Sequence, residues 1–226
     1  VFGMVGHSNL GYADAMRREE ERGSLRYIGI RHEGAASFAA SSYAKLTGRI
    51  GACFAIAGPG STNLMTGLYD ARADGAPVLA ISGQVPSKAL GQGAFQDLNL
   101  RAAFGDVAQF SATVLPGADH AELMSRACKS ALVRRGVSHL VLPDEVQVQA
   151  EEAEAGGPSG RTSPDRAVPA EAGLAAAGEA LAQAERPVFI LGNGARAGIE
   201  EVVALAEAVR APMITTFRAK GIIADH

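Results

Sequence analysis

Two stretches of this chain place chemistry-bearing residues where a ligand could meet them. Glu33 stands where the strand Leu25–Ile30 passes through Arg31-His32 into an Ala/Ser-rich helical stretch, Gly34–Leu46. About one strand–helix unit later, the apolar strand Gly51–Ala57 stops at Gly58-Pro59-Gly60-Ser61-Thr62-Asn63. In open α/β sheets, ligands bind beyond the carboxyl ends of the strands. A carboxylate and a turn without side chains at two such ends therefore define a candidate site, with Glu33 able to face a ligand nitrogen. The glycines let a backbone come close to something, and Ser61 or Thr62 can cap the helix that follows. Each feature also has a plainer reading. A first-turn glutamate gains roughly 0.3–1 kcal/mol from the helix macrodipole, and Gly-Pro-Gly serves as an ordinary connection between strand and helix.

Other motifs fail on spacing. His32-Glu33 opens a His-Glu-x-x-His zinc signature, but the fifth residue is Ala36. His32 then reads as a strand-end polar residue. His7, His120, His139 and His226 are scattered and give no metal-ligand spacing, so no metal ligand is expected in this chain. Gly6-His7-Ser8 starts like a nucleophile elbow, yet Leu10 stands where that elbow needs glycine. Gly192-Asn193-Gly194-Ala195-Arg196-Ala197-Gly198 follows a strand, but its glycines do not fall at dinucleotide-loop spacing. Thr215-Thr216-Phe217 supplies no acid at the end of the next strand.

The elements that must position these residues follow from composition and rhythm. A length of 226 residues allows one or two domains. Apolar residues make up 47% and aromatics only 5%, so the core must be aliphatic. With 21 Lys and Arg against 24 Asp and Glu, the formal charge is −3, and no basic stripe points to nucleic acid. Cys53 in a strand and Cys128 in a helix fit buried, reduced thiols and a cytoplasmic location. No apolar run is long enough to span a membrane, and no signal peptide is evident. Val1–Met4 reads as a strand already under way and Gly221-Ile222-Ile223 breaks off in mid-pattern, so both ends are expected to be cuts through a larger protein.

Strands are expected at Val1–Met4, Leu25–Ile30, Gly51–Ala57, Pro77–Ser82, Ala112–Leu115 and His139–Leu142. Helices are expected at Tyr12–Glu21, Glu33–Leu46, Ser61–Ala73, Asn99–Phe104 and Ala121–Val133, with Gly48 closing the second. This alternation implies a parallel sheet flanked by helices, an α/β fold. Residues 147–170 are rich in Glu, Ala, Gly, Pro and Ser and read as a linker. A helix at Glu171–Ala184, a strand at Pro187–Leu191, a helix at Ile199–Val209 and a strand at Pro212–Thr216 then open a second, Rossmann-like α/β domain.

Taken together, these residues resemble thiamine-diphosphate (ThDP) enzymes of the pyruvate oxidase and acetolactate synthase type. The carriers are Phe2-Gly3-Met4-Val5-Gly6, Arg31-His32-Glu33-Gly34-Ala35-Ala36, Ala57 through Leu64, Pro77 through Gly83, Phe95-Gln96-Asp97 and Pro143-Asp144-Glu145-Val146, in the family's order and spacing. The resemblance implies a pyrimidine-binding domain at 1–146 lacking its first helix, the linker at 147–170, and an incomplete central domain at 171–226. It gives Glu33 a role: a glutamate hydrogen-bonded to N1′ of the aminopyrimidine promotes the tautomer whose 4′ nitrogen takes the proton from thiazolium C2. By the same resemblance, Met4, Gly58, Pro59, Gly60 and Asn63 would line the pyrimidine pocket. Gln96, with Phe95 beside it, would reach the reacting end.

The resemblance further implies a 2-oxo acid substrate such as pyruvate and a homodimer or homotetramer. Mg²⁺ would be bound through a diphosphate domain whose Gly-Asp-Gly signature does not occur here, since Gly105-Asp106 is followed by Val107. This chain by itself is accordingly expected not to turn over substrate. His7 departs from the glycine or acid usual in relatives. Phe95-Gln96 resembles oxidases and acetolactate synthases alike, while the Val5-Gly6-His7-Ser8 turn, Arg134–Ser138 and the Leu-Val-Leu-Pro that follows lean toward a pyruvate oxidase or pyruvate:quinone oxidoreductase, whose central domain binds FAD. An acetolactate-synthase-like carboligase is the alternative, with FAD structural or absent. A non-catalytic pyrimidine-type domain acting as an oligomerisation module is the reading outside enzymes.

Overall fold

The computed structural model describes residues 1–150 and 168–223. The chain divides into two compact units, Val1–Ser163 and Pro164–His226.

The first unit is built on six strands: β1 (Phe2–Gly3), β2 (Ile28–Gly29), β3 (Gly51–Ala55), β4 (Val78–Gln84), β5 (Phe110–Thr113) and β6 (Val137–Pro143). They lie in the order β2-β1-β3-β4-β6-β5, every pair parallel. All carboxyl ends therefore share one edge. The helices are α1 (Leu10–Glu21), α2 (Glu33–Thr47), α3 (Pro59–Asn63), α4 (Met65–Ala73), α5 (Leu100–Ala103) and α6 (His120–Arg134).

Side chains alternate across the sheet, as strand geometry requires. Cys53, Ala55, Val78, Ala80, Val137 and Val141 face a layer formed by α2, α4 and α5. Ala36, Ala40 and Ala44 recur every fourth residue along α2, a narrow stripe that lets the helix lie close to the strands. Phe54, Leu79, Ile81 and Leu140 face the opposite layer with Met16 of α1 and Ala127 of α6. Phe54 is flanked there by Tyr12 and Tyr27, with ring centroids at 5.6 and 5.7 Å. The first face is mostly aliphatic, as expected from composition, with Phe104 its one fully buried phenylalanine among the described residues, while Phe54, Tyr12 and Tyr27 gather on the second.

Several boundaries differ from expectation. Only Ile28–Gly29 of the expected strand Leu25–Ile30 joins the ladder, since its partner β1 is two residues long. The edge strand expected at Ala112–Leu115 lies two residues earlier. The single helix expected at Ser61–Ala73 is two. It begins at Pro59, whose missing N–H suits the first helical turn. It breaks at Leu64, whose N–H turns back to Ser61 O at 3.1 Å. Ser61 and Thr62 are not its cap: Gly58 is the capping residue, and the Ser61 hydroxyl donates to Ile56 O at 2.6 Å. Gly48 does close α2, at φ 69°.

The linker expected at 147–170 lies largely outside the described residues. Gln147 is tied into the first unit, donating to Ser8 O and Leu142 O and accepting from the Tyr12 N–H.

The second unit contains α7 (Glu171–Gln183), β7 (Phe189–Leu191), a 3₁₀ turn at Asn193–Gly198, α8 (Ile199–Ala208) and β8 (Met213–Thr215). β7 and β8 pair in parallel. Leu191, Ala206, Ala211 and Ala219 are its buried apolar residues. Among the described residues, no helix is long and apolar enough to cross a membrane.

Candidate cofactor site

Three strand ends meet around Glu33. β1 lies between β2 and β3, so the segments that follow these strands are neighbours at the carboxyl edge. After β1 come Met4 and the turn to α1. Asn9 clasps this turn, donating to Met4 O at 3.1 Å and accepting from the Gly6 N–H at 2.8 Å. The Ser8 hydroxyl oxygen accepts the buried Ala57 N–H at 2.7 Å. That bond ties the turn to the end of β3 and gives Ser8 a structural task in place of a nucleophile's.

After β2 comes α2, which Glu33 opens. His32 is its N-cap, with Nδ1 accepting the Gly34 N–H at 3.0 Å. This is the helix-start role that the zinc-signature comparison could not supply. After β3 come Gly58 and α3. Asn63, the last residue of α3, donates from Nδ2 to Glu33 Oε2 at 3.1 Å.

The carboxyl group is thus fixed at one oxygen and open at the other. Glu33 is only 5% exposed. Among the described residues it has no ion pair, and no hydrogen bond to Oε1 is present. Oε1 is thus left available to accept a donor from a ligand at this strand end, while Asn63 holds the other oxygen.

The wall beside Oε1 is Gly60. A Cβ at this residue would stand 3.1 Å from Oε1 and 2.6 Å from Ile56 Cγ1. Ile56 also fills the space beside Gly6, so one aliphatic side chain shapes the pocket floor from two turns. Gly58 has φ +65°, and a Cβ there would stand 2.9 Å from the Gln96 Cβ. The glycine turn is thus pressed by Glu33 on one side and by Gln96 on the other. Pro59 and Asn63 are exposed at the rim, and Phe95 is 89% exposed.

An acceptor held in this way can meet a hydrogen-bond donor or a protonatable nitrogen of a ligand. Comparison with known proteins identifies the family. Residues 1–103 match the family described as thiamine pyrophosphate enzyme, N-terminal TPP binding domain. Residues 174–226 match its central domain. The chain belongs to the thiamine pyrophosphate enzymes.

Among its ThDP-enzyme relatives, pyruvate oxidase of Lactiplantibacillus plantarum is 37% identical over 231 residues, covering 100% of this chain and 38% of that protein. YdaP of Bacillus subtilis is 36% identical over 225 residues, covering 100% and 39%. The acetolactate synthase large subunit of Parasynechococcus marenigrum is 34% identical over 234 residues, covering 100% and 38%. The chain thus spans 38–39% of the length of these three relatives.

The structure brings Glu33, Gly58, Gly60 and Asn63 together, with Gln96 against Gly58. The Met4 carbonyl is held by Asn9 in the turn after β1, and Phe95 stands exposed. Sequence reasoning did not find Asn9, Ile56 or Gln84. Gln84 alone left a trace, as a polar residue at the end of an otherwise apolar strand. Among the described residues no cluster of His, Cys, Asp or Glu could hold a metal.

Proposed function

We propose that this chain is the pyrimidine-binding part of a ThDP-dependent enzyme that decarboxylates a 2-oxo acid, most like a pyruvate oxidase. The observation that carries the reading is the buried Glu33, with Oε2 held by Asn63 and Oε1 open beside Gly60. Bound there, ThDP supplies a carbanion sink for decarboxylation.

This chain's own residues do four things. Glu33 Oε1 holds and exchanges the proton at the pyrimidine N1′. Asn63 keeps the carboxyl aimed by occupying its other oxygen. Ile56 and Gly60 line that contact and leave room beside Oε1 that any larger residue at position 60 would fill. Gln96, held against Gly58, reaches toward the substrate end.

The rim residues Pro59 and Asn63 leave the slot open on one side, which supports a second wall supplied by a diphosphate-binding domain, with its Mg²⁺, in a homodimer or homotetramer. Residues 1–226 alone would then show no turnover of pyruvate. Free thiols at Cys53 and Cys128 support a reducing, cytoplasmic setting.

The test is Glu33→Gln in the full-length protein. Folding and thermal midpoint stay near wild type, while exchange of the cofactor C2 proton slows by orders of magnitude. Near-normal exchange would remove Glu33 from the mechanism. Acetolactate synthases among the relatives favour a second reading, a carboligase. Flavin absorbance that bleaches on adding pyruvate identifies the oxidase, whereas acetolactate formation without bleaching identifies the carboligase.

A further inference from the structure

We propose that Gln84 is a positioning residue that holds Gln96 in place from behind, an inference that rests on the role given to Gln96 above. The argument begins at the end of β4. Its ladder with β6 closes on the pair Gln84–Pro143. The next donor, the Val85 N–H, is buried, and the side chain of Gln84 answers it: Oε1 accepts at 2.9 Å. That bond fixes which way the carboxamide faces. A flipped amide would set its NH₂ against the Val85 N–H and its oxygen against a carbonyl. The remaining group, Nε2, donates to Leu98 O at 2.9 Å.

Leu98 lies two residues beyond Gln96. The loop 91–98 is held at its far end by the Leu100 N–H, which donates to Leu98 O at 2.8 Å from a buried residue, and Gln84 is its side-chain bond to β4. Gly91, Gln92, Gly93, Phe95 and Leu98 are all exposed, so burial of apolar side chains does not anchor it. Its remaining bonds stay within the loop or reach the residues just before and after it: Asp97 accepts the Gly91 N–H at 2.7 Å and donates its own N–H to Ala94 O at 3.0 Å, and Gln92 bonds to the preceding turn.

Yet Gln96 sits at φ +67°, a left-handed conformation that costs of order 1 kcal/mol or more for a residue with a side chain. It is also packed against Gly58. A cleft of about 510 Å³, lined by Gln84, Asp97, Leu98 and Thr113 among others, lies behind the loop, leaving it room to relax. Gln84, 3% exposed, is the tie from the buried sheet that opposes this.

The experiment uses the full-length protein with two variants. Gln84→Glu keeps the size and the acceptor for Val85 but turns an oxygen toward Leu98 O; Gln84→Met removes both polar groups. In the cofactor-free protein, amide exchange at Asp97 is expected to speed up about tenfold or more, while amides within β4 stay protected. In the holoenzyme, kcat for the 2-oxo acid falls roughly tenfold to a hundredfold, with KM and C2-proton exchange within about twofold of wild type. In a Gln96→Ala background the same change has no further effect on kcat.

Unchanged exchange at Asp97 in both variants, or losses that multiply in the double variant, overturns the proposal. The Glu33→Gln result stands apart: normal C2 exchange there defeats the functional reading, while the Asp97 amide still decides what Gln84 holds.

Discussion

Two glycine-rich turns follow strands in this chain, and they differ in what surrounds them. At the end of β3, a Cβ added at Gly58 or Gly60 would collide with Gln96, Ile56 or Glu33. At the end of β7, Gly192 and Gly194 have nothing within 4 Å of that position. Both turns look alike as strings of letters. A glycine reports a site only when something presses against its missing side chain, and in the first turn that something is the carboxylate and the loop proposed to work together. The second turn winds into a 3₁₀ helix with no left-handed residue.

The sharpest way to break this comparison is Gly60→Ala. The new methyl would overlap Ile56 and crowd Glu33 Oε1, so stability should fall by about 1–3 kcal/mol. ThDP affinity in the full-length protein should fall by roughly tenfold or more, equivalent to about 1.4 kcal/mol. Calorimetric unfolding and a cofactor titration measure the two parts, and unchanged affinity would mean that this turn does not face the ring.

Gly58→Ala comes next. Its strained φ and its approach to Gln96 should cost about 1–3 kcal/mol, read as a lower urea midpoint. The effect on turnover should resemble that of altering Gln96.

Acid separates the two units in another way. His139 is fully buried in β6, with Nε2 2.9 Å from the Ser82 hydroxyl and Nδ1 3.0 Å from that of Ser111. Its ring stacks on Phe104 at 3.8 Å. Burial lowers its pKa from 6.5 to about 3. The unfolded chain therefore binds a proton between pH 6.5 and about 3 that the folded one refuses. The stability of the first unit is full above that window and falls as pH drops through it, by up to about 1.4 kcal/mol per pH unit. No histidine occurs among the described residues of the second unit. Fluorescence of tyrosines, placed at residues 12, 27, 43 and 69 of the first unit, should lose its native signal on acidification, and His139→Gln should flatten the dependence.

The smallest effect belongs to the second turn. Gly194→Ala should change stability by no more than about 0.5 kcal/mol, and a loss approaching that of Gly60→Ala would erase the contrast.

The sequence carries the fold well because its strands are apolar runs separated by helices with clear ends, such as Gly48. It carries the first-unit site in outline because Glu33 and the Gly58–Asn63 turn lie at strand ends. Other parts were out of reach for a physical reason: they depend on contacts between distant segments. Nothing near Leu64 announces the break between α3 and α4, which follows from Ser61 bonding backward. Nothing around Phe95-Gln96 says that the sheet reaches across to the loop through Gln84, fourteen residues before its partner Leu98. The short ladder at β2 likewise reflects its two-residue neighbour, not its own composition.

The two native thiols are poor nucleophiles by construction. Burial pushes Cys53 up to about 12 and raises Cys128 as well. Both stay protonated at neutral pH, when only the thiolate attacks. A sulfhydryl introduced at position 95, in full contact with water, would outcompete them for maleimide dyes. Residues 1–226 thus suit a single-colour reporter beside Gln96 without removing Cys53 or Cys128.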